Sequence, residues 1–166
     1  MMAIIYLILK DEITYDQVLL RKPDLKTAYK VFCFSLITQT ATNFLLIWVF
    51  GKQETRFDLE ILLPIIPVYA VLLAPIIEEI IFRHIIFGWI QGSKEKFSII
   101  GAFISSTLFG IMHMNVILFI GYFAVGYILC YFYFKTKNVL VIILAHIMLN
   151  FFALMSQSIH IVFGGV

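Results

Sequence analysis

The amino-acid sequence predicts an all-α fold: a polytopic membrane helical bundle of about five transmembrane helices with an N-terminal interfacial segment. Three observations predict it. The 166 residues are 62% hydrophobic and only 13% charged, with a mean hydropathy of +1.01, more apolar surface than a soluble domain of this length can bury. Apolar runs of spanning length recur along the chain, each close to the roughly 20 residues that cross a bilayer. The basic residues fall between those runs, as they do where topology rather than a ligand places them. A net charge of +2 gives no ground for a nucleic-acid partner. The length suits one membrane domain over residues 1–166.

Residues 1–28 are expected to form a cytoplasmic or interfacial segment. Met1–Leu9 is apolar but too short to span, and it lacks the basic start and cleavage site of a signal peptide. To about Asp24, charge alternates with Ile, Val and Leu, a pattern suited to a surface helix. The spans follow at Val31–Phe50, Ile61–Ile90, Phe97–Met114, Val116–Phe134 and Asn138–Met155. The second is longer than a bilayer needs and contains Pro64, Pro67 and Pro75, so its first part is expected to be irregular or interfacial, with a tilted helix after it. Little more than Asn115 separates the third run from the fourth, which predicts a tight helical hairpin.

With the N-terminus inside, Arg21, Lys22, Lys26, Lys30, Lys94, Lys96, Lys135 and Lys137 are cytoplasmic, and Lys52 and Arg56 are outside. The positive-inside rule favours that orientation in the cell membrane, and the tail after Met155 is then external. The chain has no internal repeat, the usual sequence sign of a transporter. Cys33 and Cys130 lie in apolar segments without metal or disulfide spacing, as packing residues do.

Glu78-Glu79-Ile80-Ile81-Phe82-Arg83 interrupts the second run with formal charge. Each charged group near a bilayer centre costs roughly 2.5–3.5 kcal/mol on insertion scales, so three together need a reason. Glu79 and Arg83, four residues apart, share a helix face and can pair. That pair reads as structural, because pairing is how buried charges are tolerated. Glu78 points about 100° away and has no counter-ion on its own helix. A buried carboxylate of this kind marks a candidate site.

Later spans bring more polar residues. His113 ends a stripe of Ala102, Ser106, Phe109 and Gly110, whose small members admit a close neighbour. His146 and Asn150 share a face of the last span. Read singly, each histidine suits a hydrogen-bonded packing residue, and Asn150 suits a bond between helices. Together, Glu78, His113, His146 and Asn150 could converge on one cavity. A carboxylate there can take a proton from a water that a histidine positions, while a histidine and an amide donate to a carbonyl oxyanion. His84 is expected at the interface and His160 in the tail, neither with a role.

Glu-Glu-x-x-x-Arg, Phe-x-x-x-His and His-x-x-x-Asn, in order and on separate helices, resemble the CAAX protease and bacteriocin-processing family, also called CPBP or Abi, of intramembrane glutamic-type proteases. The resemblance covers roughly Leu72 to Phe152. It implies a catalytic helical core over 61–155, with Glu78 as general base, His113 assisting it, and His146 and Asn150 as the oxyanion pair. Glu79, Arg83 and Phe109 match supporting positions. No cofactor is implied. No His-Glu-x-x-His pair or close ligand cluster suggests a metal either. The family commonly has more helices before the first motif than the single span found here, so part of the cavity wall is expected to be missing or to come from a second copy or a partner.

The reading that follows is an intramembrane endopeptidase acting on a small peptide or membrane-associated substrate near the bilayer. The alternative is a bacteriocin self-immunity protein or a non-catalytic peptide-binding scaffold, since short bacterial members of the family are associated with immunity. A proton or ion pathway through the buried Glu and His is a third reading, disfavoured by the missing repeat.

Overall fold

The computed structural model describes residues 23–51, 65–92 and 95–164, and among them the regular structure is helical throughout. The expectations for residues 1–22, Lys52, Arg56, Pro64 and Lys94 lie outside the described residues. Helix α1 spans Leu25–Phe50. It starts where Asp24 accepts from the Lys26 backbone N–H and the Thr27 hydroxyl, at 3.0 and 2.6 Å, an N-cap that satisfies orphan donors of the first turn. The segment expected to be interfacial to residue 28 therefore turns helical at Leu25.

Helix α2 runs over 65–91 and changes pitch along its length. α-Helical turns at Ile65–Val68, Ala74–Glu79 and Gly88–Gln91 alternate with π-helical stretches at Tyr69–Leu73 and Ile80–Phe87. The irregularity expected from the prolines takes the form of π-helical pitch within a continuous helix from 65 onward. Pro67 falls in the first turn, where its missing N–H is an orphan in any helix. Pro75 is absorbed by the widened turn before it, in which the Ala74 N–H bonds the Tyr69 carbonyl five residues back.

Helices α3 (Ile99–Met112), α4 (Phe119–Thr136) and α5 (Val139–Gly164) complete the order. The α3–α4 link is the tight hairpin expected, with Met114 at positive φ and the Asn115 side chain accepting from the Leu118 N–H at 3.0 Å. Three helical stretches, Leu25–Phe50, Phe119–Thr136 and Val139–Ser156, are long and apolar enough to cross a membrane, while Ile99–Met112 is shorter. Large apolar side chains such as Phe44, Trp48, Trp89 and Phe103 are more than half exposed, as a bilayer-facing surface requires.

The core lies between α1, α4 and α5, where Ala28 and Val31 meet Val125 and Leu129, and Val141, Ile142, Ala145 and Leu149. Cys130 packs with Phe87 and Ala102, in the apolar role expected of it. The α3–α4 contact is close because Gly126 faces Ser106. A Cβ at 126 would stand 3.3 Å from the Ser106 Cα and 3.2 Å from the Phe109 ring. The start of α1 and the end of α4 lie at the same end of the bundle, since Thr27, Lys30, Lys135 and Thr136 line one cleft. Phe97, just before α3, joins them through ring contacts of 5.7 Å to Tyr131 and 5.6 Å to Phe134. Lys26, Lys30, Lys96, Lys135 and Lys137 therefore gather at one end.

Candidate active site

Glu79 is the pivot of the polar centre. It is fully buried, and its Oε1 lies 3.0 Å from Arg83 Nη1 one turn on, the pairing expected from their spacing. The same oxygen lies 2.7 Å from Nδ1 of His146, sixty-seven positions further along the chain. That bond ties α2 to α5. Arg83 is itself fully buried, and its guanidinium sits 4.2 Å from the centre of the Phe109 ring. A cation is tolerated there by its carboxylate and by the negative face of the aromatic ring.

Glu78 faces the other side of the same histidine. Its Oε2 is 3.8 Å from His146 Nε2, and its side chain is 15% exposed where that of Glu79 is wholly enclosed. His146 thus stands between two carboxylates, one per ring nitrogen. Nδ1 is hydrogen-bonded to Glu79, whereas Nε2 faces Glu78 across 3.8 Å, beyond direct hydrogen-bond reach. The polar neighbour that Glu78 lacks on its own helix comes from α5.

Phe109 holds the histidines as well as the arginine. Its ring meets His113 edge-on at 4.7 Å and His146 at 5.9 Å. His113, capping the end of α3, has Nδ1 at 2.8 Å from the Phe109 carbonyl. That acceptor fixes Nδ1 as the protonated nitrogen of a neutral ring and leaves Nε2 with its lone pair. The His113 ring stacks on Tyr122 at 3.8 Å and 21°.

Asn150 is engaged by the irregularity of α2. The Ala74 N–H is committed to Tyr69, and Pro75 has no N–H, so the Ala70 carbonyl has no donor from residue 74 or 75. Asn150 Nδ2 supplies one at 2.9 Å. One amide hydrogen is used in this way and the second is available.

His113, His146 and Asn150 line one cavity of about 80 Å³, together with Phe109 and Tyr122. One water needs about 10–15 Å³ of such volume, so there is room for several. Glu78 is not among the lining residues and meets the cavity group through His146. Gln39 and Asn43 do line it, from α1 and outside the 61–155 stretch expected to form the core. Sequence reasoning missed them and Tyr122, although Gln39 and Asn43 stand four apart in a span, the spacing that drew attention to His146 and Asn150. At this point the cavity wall is α1, the single span before the first motif.

His84 is half-buried, with Nδ1 at 2.8 Å from the Tyr133 hydroxyl on α4. His160 falls within α5. Among the described residues no three His, Cys, Asp or Glu side chains are grouped to hold a metal ion. Outside the spanning segments, the Thr27 hydroxyl holds the Asp24 carboxyl below its usual range, and burial pushes Lys137 down.

A family model described as Type II CAAX prenyl endopeptidase Rce1-like matches residues 60–152, which contain all three motifs. The chain is 34% identical over 132 residues to the Bacillus subtilis protein named "Putative membrane peptidase YdiL", an overlap of 76% of this chain and 53% of the relative. It is 28% identical over 139 residues to the "Membrane-embedded CAAX protease MroQ" of Staphylococcus aureus, covering 78% of this chain and 56% of that one. The chain spans about half the length of these curated relatives. No solved structure matches it significantly.

Proposed function

Because the chain belongs to the Rce1-like CAAX endopeptidase family, we propose that it is an intramembrane endopeptidase of glutamic type. Its substrate in this reading is a small peptide or a membrane-anchored chain, hydrolysed near the bilayer. The observation that carries it is His146, held between Glu79 and Glu78 and lining one cavity with His113 and Asn150. A structural ion pair would need one carboxylate. The second glutamate is the one left for chemistry.

In the proposed reaction, Glu78 takes a proton from a water held by the lone pair of His113 Nε2, and the hydroxide attacks the scissile carbonyl carbon. The carbonyl electrons move to oxygen. That oxyanion receives hydrogen bonds from His146 Nε2–H and the second amide hydrogen of Asn150. Collapse breaks the C–N bond, and Glu78 returns its proton to the leaving amine. Glu79, Arg83 and Phe109 hold the two histidines in register. The 3.8 Å between Glu78 and His146 Nε2 leaves that N–H unspent for the oxyanion.

The test is cleavage by the full chain in proteoliposomes. Glu78→Gln and His113→Ala are expected to lower turnover by about 10²–10⁴-fold, the range for general acid–base groups. Undiminished turnover in either variant sinks the mechanism. One observation favours the alternative of self-immunity or peptide binding without catalysis: Glu78 lies off the cavity lining. Protection that survives combined loss of Glu78, His113 and His146 in a bacteriocin challenge would establish that alternative.

A further inference from the structure

A peptide bond can be attacked only where the chain around it is extended, with its N–H and C=O groups exposed. In a bilayer each such group costs several kcal/mol until it finds a partner. Proteins often satisfy an extended peptide by lending it a strand edge. Among the described residues there is no strand, and helical backbone groups are already paired with one another. The partners for a substrate backbone here must be side chains.

Gln39 and Asn43 meet that requirement. Both line the cavity that holds His113, His146 and Asn150, and both are half-buried. Neither side chain makes a hydrogen bond to another described residue. Gly121 brings α4 against this face of α1. A Cβ there would stand 3.3 Å from Thr42 Oγ1 and 3.8 Å from Asn43 Oδ1. Asn43 is therefore held on the cavity wall by close helix packing, with Gln39 one turn before it on the same lining, and both amides have donors and acceptors unspent.

Their spacing matches an extended chain. Four residues of helix rise about 6 Å. In a strand the N–H and C=O of every second residue point the same way, at a repeat of about 6.6 Å. Each carboxamide carries both a donor and an acceptor, so each can read the N–H and C=O of one residue. We infer that Gln39 and Asn43 form the backbone-reading edge of the substrate site, binding alternate residues of an extended peptide that passes between α1 and the His113–His146 wall. This inference rests on the endopeptidase reading above.

The test uses the full chain in proteoliposomes with a library of quenched-fluorescent apolar decapeptides. Gln39→Met and Asn43→Leu are near-isosteric and suit a membrane helix, and retained monodispersity and thermal midpoint report intact folding. The best-cleaved peptide is then remade with single amide-to-ester replacements along its backbone. Each variant is expected to raise KM about tenfold with kcat within twofold, the signature of lost uniform binding. Ester replacements at alternate positions should weaken wild-type cleavage and lose their effect in the variants. Unchanged KM, or ester effects that are the same in all forms, overturns the inference while leaving the endopeptidase reading intact. A wild type that cleaves none of the library is tested for binding of the same peptides, labelled. Binding weakened by the two substitutions sustains the backbone edge without proteolysis, and no binding removes it.

Discussion

The two adjacent glutamates differ most in what each would leave behind if neutralised. Glu79→Gln removes the anion from a guanidinium that is fully buried and from the ring nitrogen of His146. Breaking one partner of a buried pair costs about 3–5 kcal/mol, so this variant should unfold at distinctly lower denaturant in a detergent titration. Glu78→Gln leaves both contacts in place, and its stability should stay within about 1 kcal/mol of wild type, the usual range where no such mechanism operates. Equal destabilisation by the two substitutions would mean that Glu78 is also structural. The division was legible in the sequence only as far as one helix reaches: a four-residue spacing pairs Glu79 with Arg83, but nothing local says that His146 binds across to Glu79. At the edge of α1, Asp24 gives a pH-dependent term of definite sign. The Thr27 hydroxyl depresses its folded pKa below the unfolded value of about 3.9. Its contribution is complete above that value and is lost as pH falls through the folded pKa. Asp24→Ala should therefore lower the thermal midpoint at neutral pH and flatten its dependence on pH at the acid end.

Within α2, a proline and a distant amide act as one device. Pro75 removes the N–H that the π-pitch would have aimed at the Ala70 carbonyl, and Asn150 fills the vacancy. Pro75→Ala should restore a backbone donor and release Asn150. In a double-mutant cycle with Asn150→Leu, the coupling should be about 0.6–1.7 kcal/mol, the span found for membrane hydrogen bonds. Zero coupling would separate the two residues. The prolines were visible in the sequence and read as breaks, because pitch depends on tertiary partners that a local pattern does not contain. The α3–α4 contact was legible from its small residues, and it carries its own expectation. Gly126→Val has no room against the Ser106 Cα. It should displace Phe109, cost about 1–3 kcal/mol as overpacked sites do, and depress any turnover with it, since Phe109 supports both histidines.

Across the whole molecule, charge and cavity lie at different depths. The lysines of the α1 start, the α2–α3 link and the α4–α5 turn share one end. The cavity lies further in: Gln39 is about 21 Å and Asn43 about 27 Å along α1 from that end, at about 1.5 Å per residue. His113 caps the far end of α3, and Tyr122 lies near the far end of α4. The alternation of spans read from the sequence requires this gathering of lysines, which could not be checked until the helices were placed. The positive-inside rule, by which an excess of Lys and Arg is retained in the cytoplasm, predicts which side of the membrane it faces. The basic end should therefore be cytoplasmic, with the N-terminus, and the cavity should lie in the outer half of the bilayer. A membrane-impermeant maleimide tests both statements in intact cells. In a Cys33→Ala, Cys130→Ala background, Asn115→Cys should label from outside, while Lys96→Cys and Lys135→Cys should label only after the membrane is opened. The reverse pattern would invert the protein and put the cavity within reach of cytoplasmic peptides. Because Asn115 lies in the turn beside His113, the same reagent also reports which compartment that end of α3 faces.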